Sequence, residues 1–230
     1  MAERALRLGD TEGVEAVTIR RLAQELGVTP MALYWHFKNK DELLAGVVDH
    51  ALSTVRADRA AGDPWSGQLR AMVAALVAVM REHPSLPELM HSVDKSRGDS
   101  FTRATNDALA LLTEAGFGIE EAYWVATYLL HAAIGLVQAE PGCPASVPAA
   151  EVTEWRRQKR LAMEQLPADR YPMVVAFAAT YSRPLDTERY YEFGLDLIMS
   201  AVSASAARLA QPATGELARQ PVPAGRSVET

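Results

Sequence analysis

Residues 18–44 read TIRRLAQELGVTPMALYWHFKNKDELL, and the fold follows from this stretch. Thr18 is a helix N-cap, its hydroxyl placed to accept from an orphan amide of the first turn. The helix it opens carries Ile19, Leu22, Ala23 and Leu26 on one side. Gly27 ends it, because glycine tolerates the left-handed backbone of a helix C-terminus. Thr29 caps the next helix, with Pro30 at the first position, where a missing N–H costs nothing, and Phe37 closes it. Two short helices joined at Gly27, with Leu22 and Leu26 facing Leu33 and Phe37, have helix-turn-helix spacing. At about 100° per residue, Leu33, Phe37 and Pro30 fall on the buried side of the second helix. Met31, Tyr34 and Trp35 fall on the other, and an apolar stripe shown to water needs a partner surface. Arg20, Lys38 and Lys40 around it point to phosphate.

Charge sharpens this. The 230 residues carry a net charge of −6, which argues against indiscriminate coating of nucleic acid. Between Thr18 and Lys40, however, Arg20, Arg21, Lys38 and Lys40 oppose Glu25 alone. A basic patch on an acidic body suits a protein that docks on DNA in one orientation. The single Cys143 excludes an internal disulfide and fits a reducing compartment. No run of 18 uninterrupted apolar residues and no leader-like N-terminus is present, so a cytoplasmic protein without a membrane partner is expected. HExxH, GxxxxGK[ST] and GxSxG patterns are absent. No catalytic residue, cofactor or metal is therefore assigned.

Helical periodicity runs through most of the chain and strand signals are nearly absent, which predicts an all-α fold. Helices are expected over 2–12, 18–26, 29–37, 40–57, 64–82, 85–91, 100–115, 119–139, 151–165, 169–182 and 186–209. Residues 1–46 are expected to form a three-helix DNA-binding domain and 47–209 a larger ligand-binding and dimerisation domain. Residues 210–230, rich in Pro, Ala, Gly and polar residues, are expected to be a disordered tail.

The segment ALRL…EGVEAVTIRRLAQELGV followed by TPMALYWHFKNKDELL, above all the YWHFKNK heptad, resembles the tetracycline-repressor family of bacterial regulators. GDPWSGQLR, LTEAGFGIEEAYW and YYEFGLDLI extend the resemblance over most of residues 5–202, towards the tetracycline repressor's own subgroup. One departure is the scarcity of basic residues before the first helix, where only Arg4 and Arg7 stand. The resemblance implies a homodimer that binds a palindromic operator in double-stranded DNA and releases it for a small effector. It places Thr29, Met31, Ala32, Tyr34 and Trp35 on or beside the reading helix. Thr18, Arg20, Arg21, His36, Lys38 and Lys40 complete the expected interface. Met31 and Ala32 offer no hydrogen bond, so they read shape and thymine methyls; Arg20 is the candidate for guanine. Trp35 is open to two readings, helix buttress or DNA contact, and His36 lies between the two faces.

His91 falls near the position where the tetracycline repressor holds a histidine that ligates a metal. Positions corresponding to other contacts read Met72, Leu76 and Ala108, so the resemblance implies an effector larger or more apolar than a magnesium chelate. Met72, Leu76, His91, Phe101, Tyr128 and His131 are the expected pocket walls, being on inward stripes of their helices. His83, before Pro84, is read as a helix-end histidine. Helix 119–139, with Ala126, Leu130, Ala133 and Val137, and the last helix, with Gly194, Ile198, Ala201 and Ser205, offer small-residue stripes for dimerisation. The alternative is a helical ligand-binding or protein-interaction module that does not use its helix-turn-helix on DNA.

Overall fold

The computed structural model describes residues 1–57, 62–95, 98–144 and 147–210; the expected tail from 211 lies outside the described residues. Among them the regular elements are all helical. They are α1 (Ala2–Glu12), α2 (Ile19–Leu26), α3 (Pro30–Tyr34), α4 (Lys40–Ala51), α5 (Trp65–Glu82), α6 (Leu86–Ser92), α7 (Asp99–Glu114), α8 (Ile119–Gln138), α9 (Val152–Glu164), α10 (Pro172–Ala178) and α11 (Thr187–Ala210).

Local chemistry sets the N-terminal boundaries. Thr18 Oγ1 accepts from Arg21 N at 3.1 Å, and Gly27 ends α2 with φ of +67°. Thr29 Oγ1 lies 3.4 Å from Ala32 N, and Asn39 Oδ1 caps α4 by accepting from Glu42 N at 2.8 Å. Three expectations change. Helix α3 ends at Tyr34, although Phe37 N still donates to Leu33 O at 2.9 Å, and Pro30 is exposed rather than buried. Helix α4 stops at Ala51 in a 3-10 turn over Leu52–Thr54 instead of running to 57. Beyond it Ala57 N donates to Asp107 of α7 at 3.3 Å, a partner outside the helix. Helix α10 starts at Pro172, not 169, because the residue before a proline is pushed out of the α region.

One continuous apolar core runs through the described residues. Leu6, Val17, Leu22 and Leu33 join Leu43 and Val47 of α4, which meet Leu86, Leu89 and Met90 of α6. From there the core passes through Leu69, Val73, Leu111 and Leu112 to Leu129, Ala133, Leu195 and Met199.

The small residues of α8 serve this interior, not an outer face. Ala133 is fully buried, and Ala126, Leu130 and Val137 pack against the core. Gly194 likewise lets α11 cross α8 of the same chain, since a Cβ there would collide with the Leu136 side chain. The outward faces instead show Ile119, Trp124 and Tyr128 on α8, and Phe193, Leu197 and Leu209 on α11. Helix α11, with mean hydropathy 1.3, is long and apolar enough to cross a membrane by length and composition. Here it buries Tyr191, Leu195, Met199, Val202 and Ala206 in the core.

Candidate nucleic-acid interface and cavity

Leu33 anchors α3 with 2% exposure, while Phe37 behind it rests on Gly46 of α4. With that side fixed, the other side must face outward. Met31 is 68% and Trp35 86% exposed, and Tyr34, Ala32 and Thr29 are exposed beside them. His36 is exposed too, and its ring makes no hydrogen bond among the described residues.

The cations around this surface are not equivalent. Arg20 is exposed and has no ion pair among the described residues. Arg21 is held by Glu12 of α1 and Glu25 of α2; the Glu12 contact raises its pKa and lowers that of Glu12. Lys40 Nζ reaches Glu15 at 3.1 Å, and Lys38 lies 3.9 Å from Glu42, whose carboxylate also accepts from Lys38 N at 2.8 Å. Thr18 and Thr29 both spend their side chains on caps. The acids were the part missed from sequence: Glu12 and Glu15 stand well before the motif and reach it only through the fold.

A cavity of about 410 Å³ lies between α5, α6, α7 and α8. Met72, Leu76, His91, Phe101 and His131 all line it. Tyr128 does not: it is 72% exposed on the outer face of α8 and is a correction to the expected wall. The lining positions of α8 are Tyr123, Ala126, Thr127, Leu129, Leu130, His131 and Ile134, a phase from which position 128 is rotated away. Tyr123 lines the cavity too, and Thr105 and Thr127 lie outside the expected walls; their spacing of four from Phe101 and His131 was the available signal. Among the described residues no group of three or more potential metal ligands comes together.

Two carboxylates join the helix-turn-helix end to the cavity end. Asp49 of α4 accepts from Ser100 N, in the first turn of α7, at 2.7 Å. Asp10 of α1 accepts from Ser85 N at 3.1 Å and Ser85 Oγ at 2.7 Å, and lies 2.8 Å from His83 Nδ1. His83 therefore partners a side chain as well as ending α5, which extends its expected role.

An outward-facing helix-turn-helix joined through one core to a largely apolar cavity is the arrangement of a helical regulatory protein. Residues 3–47 match the model of the bacterial regulatory proteins of the tetR family, and residues 59–205 that of the tetracyclin repressor-like C-terminal domain. The chain belongs to this family. It is 28% identical over 212 residues to the HTH-type transcriptional repressor DrrR1 of Streptomyces coeruleorubidus, covering 88% of this chain and 75% of that one. An HTH-type transcriptional regulator of Saccharopolyspora erythraea is 30% identical over 136 residues; the match takes 59% of this chain and spans only 57% of that relative's length. Apo ActR from Streptomyces coelicolor superposes with a TM-score of 0.74 at 27% identity, covering 91% of this chain and 95% of its own. ActR has also been solved in complex with actinorhodin, with a TM-score of 0.68 to this chain.

Proposed function

We propose that this protein is a cytoplasmic transcriptional repressor that binds a palindromic operator as a homodimer and leaves it when a small, largely apolar effector fills the cavity. The observation that carries the reading is the stripe of Met31, Tyr34 and Trp35, held outward by a buried Leu33 and flanked by Arg20, which has no ion pair among the described residues. In the dimer the two α3 helices enter successive major grooves roughly 34–36 Å apart. Residues 1–46 read DNA and 47–209 sense and dimerise. The name of DrrR1 supports repression, and the complex of ActR with actinorhodin supports a bound small molecule as effector. Dimerisation is supported by the outward apolar faces of α8 and α11, where Trp124, Tyr128, Phe193 and Leu197 await a partner.

Release requires that the effector bind the DNA-incompetent conformation better than the competent one. Helix α4 is the lever of this reading. Its C-terminal half holds the start of α7 through Asp49, and Phe101, in that same first turn, lines the cavity. Its N-terminal half carries Gly46 against Phe37, directly behind the recognition helix. A coupling of about 3 kcal/mol lowers operator affinity some 150-fold.

The test is a gel shift on the protein's own upstream DNA, with and without a panel of apolar natural products and antibiotics. Salt-sensitive retardation of a palindrome, reversed by one of them, is the expected result. Failure to bind any palindrome transfers the chain to the alternative, a helical ligand-binding or protein-interaction module that makes no use of its helix-turn-helix on DNA.

A further inference from the structure

The polar groups set into the cavity wall are mostly hydrogen-bond acceptors. The apolar part of the wall is made by Leu69, Met72, Leu76, Phe101, Leu130 and Ile134 and their neighbours. Set into it are hydroxyls and imidazoles whose hydrogens are already committed. Thr105 Oγ1 donates to Phe101 O at 2.9 Å, and Thr127 Oγ1 donates to Tyr123 O at 2.9 Å. A hydroxyl has one hydrogen, so each threonine retains only lone pairs for the cavity.

The two histidines repeat the pattern. His91 Nδ1 lies 2.7 Å from Pro87 O, and His131 Nδ1 lies 2.9 Å from Thr127 O. A carbonyl can only accept, so each Nδ1 carries the hydrogen. In the neutral ring Nε2 is then an acceptor. Among the described lining residues only Lys95 has a side chain that is a donor alone, and one of its hydrogens goes to Met90 O at 2.8 Å. Tyr123 can act either way.

We propose that the cavity selects its occupant by the hydrogen bonds that occupant donates: an apolar ring compound bearing hydroxyl groups, phenolic ones above all, received by His91, His131, Thr105 and Thr127. This rests on the reading of the cavity as the effector site. A compound whose oxygens are all carbonyls or ethers buries the same apolar surface. At His91, His131, Thr105 and Thr127 it leaves acceptors facing acceptors, with only Lys95 and Tyr123 to donate to it, and acceptor pairs cost desolvation without return. Rings suit the rest of the wall, where Met72, Met90 and Phe101 offer thioether and aromatic contacts.

The test uses the full chain and two probes in calorimetric titration, 2,3-dihydroxynaphthalene and 2,3-dimethoxynaphthalene. The dimethyl ether is the more apolar, so burial alone ranks it first. The proposal ranks it last, by about tenfold or more, the size expected of two net hydrogen bonds. The double variant His91→Phe with His131→Phe, and separately Thr105→Val with Thr127→Val, should narrow that ratio while leaving the melting curve in place. Equal binding of the two probes to the unmodified chain, or no binding of the dihydroxy compound, overturns the proposal. The pair Ala104→Trp and Ala108→Trp, which fills the cavity, separates the two levels. Loss of both probes on filling, with no preference beforehand, sinks the donor rule and leaves the effector site standing. Binding that survives filling sinks the effector site itself.

Discussion

Arg20 and Lys40 border the same surface, yet their neighbours make them unequal. Among the described residues nothing engages the Arg20 guanidinium, a planar fork suited to the two acceptors of a guanine edge. Lys40 must first leave Glu15. Replacing Arg20 with Ala should cost about 1–3 kcal/mol of operator binding and relax preference at one position per half-site. Lys40→Ala should weaken all sequences alike and reduce the salt slope by about one per half-site. Fluorescence anisotropy against operator and scrambled duplexes, at several salt concentrations, tells them apart; no change in either variant misplaces the interface. Residue-level legibility was uneven for a physical reason. Leu33, Leu22 and the capping residues were readable because short-range geometry fixes them. Tyr128 was misplaced because α8 carries apolar residues on nearly every side, so its pattern has no phase to read. The ion pairs of Arg21 and Lys40 join residues 9 and 25 positions apart, which no local pattern reveals.

Among the elements, α4 is shorter than its periodicity predicts and more deeply engaged. Asp49 serves as a remote cap for α7, so Asp49→Ala should cost about 1 kcal/mol, or 2–4 °C in Tm for a chain of this size. In the lever reading it should also blunt the response of operator binding to effector more than it weakens operator binding itself. Anisotropy with and without effector measures both; an undiminished response rejects Asp49 as a coupling residue. Gly46→Val tests the other end. Its side chain would press on Phe37, which already lies 3.0 Å from a Cβ at that position. Overpacking there should cost about 1–3 kcal/mol and displace α3, lowering operator affinity while ligand binding to the cavity is retained.

Helix α11 is tied to α5 by Arg70 with Glu192 and Asp196, and by Arg81 with Glu188. The Arg81 hydrogen bond lowers the pKa of Glu188 below its usual 4.5. A lowered carboxylate stabilises the folded chain above its unfolded pKa, and that contribution is lost as pH falls through the folded value. Glu188→Gln should therefore flatten the acid side of the Tm–pH profile below about pH 4.5, where carboxylates titrate, and leave the neutral plateau nearly unchanged, as exposed pairs contribute little. An unaltered acid limb would show that Glu188 has no part in it.

For the molecule as a whole, the outward stripe of Phe193, Leu197 and Ala201 on α11 is where a second copy is expected. Ala201→Arg should break the dimer, since a charge without a partner in a close helix contact is costly. Sedimentation should give about twice the 25.0 kDa chain mass before the change and a single chain after it; a monomer before it contradicts the dimer directly. The stripe itself was legible only in part. Gly194 was visible as a site of close approach, but sequence could not tell approach within the chain from approach between chains.

The single core has a consequence for modularity. Leu43, Val47, Val48, Ala51 and Leu52 of the N-terminal third are buried together with Leu86, Leu89 and Met90. A fragment cut near residue 57 would bare that seam, and a chimera grafting these reading helices onto a distant relative would mismatch it. The chain should accordingly melt in one calorimetric transition, and recombination between family members should succeed only when the donor's α6 travels with the helices it covers.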